Sequence, residues 1–517
     1  MDPRIAEAFA RLPEFLGQHV ILSVSAIGLG LAFSLPLALA ATRAPRLRWL
    51  LLAIAGVVQT IPSLALLALF YPLLLALSLL TENMFGAAFS ALGFLPSLLA
   101  LTLYSMLPIV QNTLAGILGV DKAVKEAARG VGMTDAQSLI QVELPIALPV
   151  IMAGLRTAAV WVIGAATLST SVGQTSLGNY IFTGLQTQNW IFVLFGCVAA
   201  AILALVVDRL LLFSERAMAK RDRPRLVGAT AALAAILIAG SLAPLIRGEA
   251  EYVIGSKGFA EQFILAALIS QRLEAAGHSV ETRGNLGSAV VFNALAAGDV
   301  DAYVDYTGTV WTNYMQRTGA GTRETVFEEM RAWLRENYGI GTLGALGFEN
   351  AYALAMRGDR AESLGIRSIA DLALQSRDLV IGGDLEIFGR PEWRALQAAY
   401  GLSFAREVTM QPTLMYPAVS GGDVDVITAF SSDGFIAAYD LVVLDDPAQA
   451  IPPYDAVLLV SPQRSNDAAL ASALRPLIEA VSIEAMREAN LMASRDTNQS
   501  PPSEAAAWLW RQIGGRE

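Results

Sequence analysis

The segment Glu126-Ala-Ala-Arg-Gly-Val-Gly-Met-Thr-Asp-Ala-Gln-Ser-Leu-Ile-Gln-Val-Glu-Leu-Pro145 lies between long apolar runs and decides how the rest of the chain is read. It is too polar to span a bilayer. Asp121 to Ala128 is rich in good helix formers, Gly132 ends that helix, and Pro145 is expected to reset the backbone before the next apolar run. The segment therefore reads as a short helix held between membrane spans.

Outward from it, apolar runs near 19–41, 49–80, 90–112, 149–170, 189–212 and 226–246 are each long enough to cross a hydrocarbon core, which takes about 20 residues. Pro62 and Pro72 predict a kink or break within 49–80, which counts as one span. Residues 1–17, with Arg4 and Arg11 among Ile5, Phe9, Leu12 and Phe15, read as an amphipathic helix on the membrane surface. Basic residues cluster after the first run (Arg43, Arg46, Arg48), in the central segment (Lys122, Lys125, Arg129) and after the fifth run (Arg216 to Arg225), whereas 81–89 and 171–188 carry no Lys or Arg. The positive-inside rule puts the three basic segments in the cytoplasm and everything beyond about residue 250 outside.

Charge divides the chain in the same place. Residues 1–225 hold 15 Lys and Arg against 11 Asp and Glu, and the remainder holds 21 against 35. The acidic half argues against nucleic acid as a partner. Cys197 is the single cysteine, so no intrachain disulfide forms, and His19 and His278 have no Cys nearby to make a metal site. No G-x-x-x-x-G-K-[ST] occurs, so the chain offers no P-loop of its own for a nucleotide. No bound cofactor is expected, and nothing looks catalytic. The domain reading is a transmembrane domain over 1–225 and a sixth span and tether over 226–250. An α/β domain follows over 251–517, with one lobe of about 251–349 and 456–517 and another of about 350–455.

Within the α/β part, Gly298-Asp-Val-Asp301 precedes Tyr306 by the interval at which Gly422-Asp-Val-Asp425 precedes Phe430. Two α/β lobes are expected to offer an aromatic residue from equivalent strand ends, where open sheets bind ligands.

Glu126, Ala127, Ala128, Gly132, Val142, Leu144 and Pro145 match the cytoplasmic EAA loop of bacterial ABC importer permeases. The resemblance implies that this loop docks on a separate ATPase subunit, that the permease is multi-pass in the bacterial inner membrane among lipid, and that two copies pair to enclose a path. GSKGFAEQ at 255–262, YTGT at 306–309, ENAYALAM at 349–356, AFSSDGFIAAYDL at 429–441 and DDPAQAIPPYDA at 445–456 resemble the type II periplasmic-binding-protein domains that recognise quaternary amines. That resemblance implies an aromatic cage of Tyr306, Tyr352, Phe430 and Tyr454, with Asn350 beside the cation. Lys257, Thr309 and Arg390 would hold a ligand carboxylate. A trimethylammonium group makes no strong hydrogen bond, so aromatic faces suit it, at ~1–2 kcal/mol each when desolvated. The expected solute is a glycine-betaine-like zwitterion, with choline or ergothioneine as alternatives. A membrane-anchored sensor is the alternative of another class, and it lacks any output region in the sequence.

Overall fold

A computed structural model describes residues 3–514 apart from 87–88, 188, 221, 223, 226, 230, 233–234, 236–249, 318–320, 385–386, 411 and 496–498. The chain divides into two compact units. One comprises Met1–Leu185, Trp190–Glu249 and Asn285–Gly287, and the other Gln186–Asn189, Ala250–Gly284 and Ser288–Glu517.

The first unit is helical. Four of its described helices are long and apolar enough to cross a membrane, and a bent pair makes up to five. The bend, 101° between Pro45–Thr60 and Ser63–Ser78, falls in the 49–80 run. Ile61 there is extended, with φ −73° and ψ 125°, the conformation that a following proline favours. The 226–246 run lies largely outside the described residues. Residues 3–17 do not form a separate surface helix: Pro3–Arg43 is one helix. Ala8 and Phe15 pack with Tyr180 and Phe192, and the Tyr180 hydroxyl donates to the Ala8 carbonyl at 2.5 Å, so burial of this face draws the segment into the bundle. Arg156 is neutralised by a fork onto Asp208 at 2.9 and 3.3 Å, as a charge among spans requires.

The polar segment between the apolar runs forms a helix over Lys122–Gly130 whose N-terminus is capped by the Asp121 carboxylate, which accepts from the Ala123 N–H at 2.9 Å. Glu126 and Ala127 are exposed on it and Ala128 is buried. The chain turns at Gly132, φ +87°, and Thr134 and Gln137 form a reciprocal capping box on the next helix. Pro145 does not interrupt the backbone as the sequence suggests. Helix runs from Asp135 to Val172, passing through a π-turn at Leu139–Glu143 directly before Leu144 and Pro145. The π-turn shifts the hydrogen-bond register at the point where proline supplies no N–H, so the helix continues.

The second unit contains two five-stranded sheets. Strands β1 (Tyr252–Lys257), β2 (Val280–Leu286), β3 (Ala302–Tyr306), β4 (Gly341–Glu349), β5 (Tyr352–Arg357), β6 (Val380–Gly383), β7 (Arg406–Thr409), β8 (Val426–Phe430), β9 (Leu441–Val443) and β10 (Asp455–Val460) are arranged as β2-β1-β3-β10-β4 and β7-β6-β8-β5-β9. The two orders correspond strand for strand, with β3 equivalent to β8. The repeated Gly-Asp-Val-Asp is the physical source of that equivalence. Asp301 accepts from the Val253 N–H at 2.8 Å and its own N–H returns to the Val253 carbonyl at 2.7 Å. Asp425 does the same with Val380, at 3.0 and 2.9 Å. Each aspartate fixes its strand against its parallel neighbour, and both strands end on an aromatic residue.

Candidate functional site

Tyr306 ends β3 and Phe430 ends β8, while Tyr352 opens β5 directly opposite Phe430 in the antiparallel register. That pairing holds the Tyr352 and Phe430 rings 4.8 Å apart, and Tyr454, just before β10, meets Tyr352 edge-on at 6.3 Å. Gly308 makes the close approach possible. A Cβ at that position would lie 2.4 Å from the Tyr454 ring. The four rings, with Lys257, Thr309, Asn350 and Arg390, line one cavity of about 350 Å³. All eight residues singled out in the sequence for ligand contact are thereby brought together.

The cations differ from expectation in one respect: each already has a carboxylate partner. The Lys257 ammonium is paired with Asp305, both groups being buried, and stands 5.2 Å from the Tyr306 ring centre. The Arg390 guanidinium forks onto Glu392 at 2.9 and 3.2 Å and lies 5.2 Å from the Tyr352 ring centre. A charge removed from water needs a counter-charge in the protein. The site is therefore built from neutralised pairs, and a ligand carboxylate would meet them with Thr309 alongside.

Glu261, Glu392, Asp305, Asn490 and the Tyr416–Asp433–Phe435 group were not singled out from the sequence. Glu261 and Asp433 lie inside the quoted motifs, Glu392 stands two residues after Arg390, and Asn490, on the helix Ile483–Ser494, carries no local signal. Burial pushes the Glu261 carboxyl up, partly offset by donors from Ser432, Tyr306, Asn490 and Asn350. Tyr306 donates to Glu261 at 2.5 Å, and burial beside that carboxyl raises the phenol well above its usual range. Burial also pushes the Glu392 carboxyl up, but the Arg390 fork and the Tyr454 hydroxyl outweigh it, so the group lies below the ordinary value.

A depressed carboxyl contributes stability that is complete above its unfolded value of about 4.3 and disappears as pH falls through the lower folded value. Thermal unfolding at graded pH is accordingly expected to show an acid-side loss in the parent that is reduced in Glu392→Gln. At neutral pH the variant should be less stable by about 1–3 kcal/mol, because Arg390 and Tyr454 lose a charged acceptor. An unchanged acid limb in the variant would remove Glu392 from this account.

Two protein-family profiles match the chain: "Substrate binding domain of ABC-type glycine betaine transport system" over residues 250–511 and "Binding-protein-dependent transport system inner membrane component" over 30–220. The ergothioneine transport permease/ergothioneine binding protein EgtU of Helicobacter pylori (strain G27) is 30% identical over 430 residues, covering 80% of this chain and 74% of that protein. The choline transport system permease protein OpuBB of Bacillus subtilis (strain 168) is 39% identical over 209 residues, 40% of this chain and 89% of that protein. A crystal structure of a glycine betaine/carnitine/choline ABC transporter superposes with a TM-score of 0.48 at 25% identity, over 51% of this chain and 99% of the other.

The chain belongs to the family of ABC-type quaternary-amine importers in which an inner-membrane permease is fused to its substrate-binding domain. Both matched domains are transport families rather than enzyme families.

Proposed function

We propose that this chain binds and imports trimethylammonium zwitterions, glycine-betaine-like solutes first, as permease and receptor in one polypeptide. The observation that carries the reading is the convergence of Tyr306, Tyr352, Phe430 and Tyr454 on a cavity also lined by Arg390, Lys257 and Thr309. Aromatic faces take the methylated cation, and the cationic side chains with the threonine hydroxyl take the carboxylate. Two or three such faces supply much of the roughly 8 kcal/mol that a micromolar affinity needs. Because these residues come from both sheets, a ligand touching all of them favours the closed arrangement of the lobes by differential affinity.

ATP is hydrolysed in this reading by a separate cytoplasmic ATPase gripping the exposed Lys122–Gly130 helix, and two copies of the chain pair to enclose the path. The binding domain faces away from the cytoplasm in this reading, which the charge alternation of the loops supports. Import of ergothioneine is the second reading, favoured by the EgtU relative because that similarity extends across both domains.

Calorimetry of the full chain in lipid nanodiscs against glycine betaine, choline, carnitine and ergothioneine tests the proposal. Affinity at or below the micromolar range is expected for at least one zwitterion, with choline weaker. If none binds below millimolar, the cage has another purpose.

A further inference from the structure

The charges around the cavity do not balance. Lys257 and Arg390 are each answered by their own carboxylate, Asp305 and Glu392, and two further carboxyls, Glu261 and Asp433, line the same space. Among the described residues neither of these two has a cationic partner. Glu261 is enclosed, its oxygens taken by the Tyr306 hydroxyl at 2.5 Å and by the Asn350 and Asn490 amides at 3.0 and 2.9 Å. Asp433 is only half-buried. It stands in the turn after β8, where its N–H donates to the carbonyl of the cage residue Phe430 at 2.9 Å. Its carboxylate accepts from the Tyr416 hydroxyl at 2.5 Å and from the Phe435 N–H at 3.0 Å. A carboxylate has room for about four donors, so acceptor capacity is left over at the cage end of the cavity.

The elements packed against this turn do not neutralise it. The helix Pro412–Gly421 offers Tyr416 alone, and Phe435–Ala438 offers no titratable group. On Ile483–Ser494, Glu484 and Glu488 are exposed, and the Arg487 guanidinium donates to the Ser431 carbonyl at 2.8 Å instead of pairing with Asp433. Burial pushes the Asp433 carboxyl up, partly offset by the donors from Tyr416 and Phe435. The empty site therefore keeps this proton to a higher pH than a free aspartate would. A solute of net positive charge entering the cavity lacks a counter-charge until a carboxyl ionises, whereas a zwitterion brings its own.

We propose that Asp433 is a specificity-determining residue: ionised, it supplies the counter-charge for a net-cationic trimethylammonium solute, and protonated, it leaves the cavity to zwitterions. Binding of a net cation is thereby coupled to release of a proton, and binding of a zwitterion is not. Cation affinity rises with pH as Asp433 ionises in the empty site and levels off above that range. The proposal rests on the trimethylammonium reading above and deepens it.

Calorimetry of the full chain in nanodiscs, with choline and with glycine betaine, tests it between about pH 5 and about pH 9, a range above the ordinary aspartate value. Buffers of different ionisation enthalpy count the protons released. Choline is expected to bind at least about tenfold more tightly at the alkaline end and to release a proton on the acid side, the equivalent of one pH unit of linkage. Glycine betaine should stay within about threefold throughout and release none. Asp433→Asn keeps an acceptor for the Phe435 N–H. It should hold choline at the parent's acid-side affinity at every pH and leave glycine betaine within twofold, which also reports that the variant is folded. A choline affinity that does not change with pH in the parent overturns the proposal, as does glycine betaine binding with no choline binding at any pH. A pH dependence that survives in Asp433→Asn overturns it by moving the titration to another group, Glu261 first. Equal weakening of both ligands in the variant makes Asp433 a support for the turn only. If neither ligand binds the parent, the trimethylammonium reading fails and the proposal with it.

Discussion

Replacing Tyr306 with alanine is expected to weaken glycine betaine binding by about 30- to 100-fold. A desolvated aromatic face contributes ~2 kcal/mol or more toward a cation, and each 1.4 kcal/mol is tenfold. The same hydroxyl also donates to Glu261, so its removal leaves that buried carboxyl one donor short and leaves Gln262 Nε2 with the Val304 carbonyl but without the phenol oxygen. Tyr306→Phe separates the two contributions. It keeps the face and loses only the hydroxyl, for an expected loss of about tenfold or less, the usual worth of one hydrogen bond. Calorimetry on both variants, with thermal unfolding as a check of folding, measures the difference. A Tyr306→Ala chain that binds within threefold of the parent would put this ring outside the site.

The other large effect is expected far from the ligand. Gly132 has φ +87°, and a Cβ there would meet nothing within 4 Å. Substitution by valine therefore creates no clash inside the chain, but it forces a β-branched residue into a left-handed conformation that costs roughly 1–2 kcal/mol even for an ordinary L-residue. The turn would relax to negative φ and re-aim the Lys122–Gly130 helix, whose neighbouring Val131 is exposed. Reconstituted with its ATPase, Gly132→Val is expected to retain ATP hydrolysis while solute uptake falls at least about tenfold, with membrane insertion unchanged. Gly132→Ala, with less crowding, should fall between. Full uptake by the valine variant would detach this turn from coupling.

Much of this was legible in sequence because it is local or periodic. Apolar run length marked the spans now seen at Pro3–Arg43, Phe94–Leu118, Leu144–Ala166 and Trp190–Ala219, and the helix at 122–130 follows from its run of good helix formers ended near Gly132. The repeated Gly-Asp-Val-Asp pointed to two equivalent strands because an aspartate beside a strand start hydrogen-bonds the neighbouring backbone in the same way each time. The cage tyrosines were found by motif resemblance, which carries side-chain identity without geometry.

What the sequence alone determined is therefore the two-part architecture and which aromatic and basic residues line the cavity. Tertiary structure decided what those residues are bonded to. That Lys257 is answered by Asp305, and that Asn490 donates to Glu261, depends on groups up to 229 positions apart. No window of sequence encodes such meetings, because only burial forces polar groups to find one another, and burial is set by how whole sheets and helices pack.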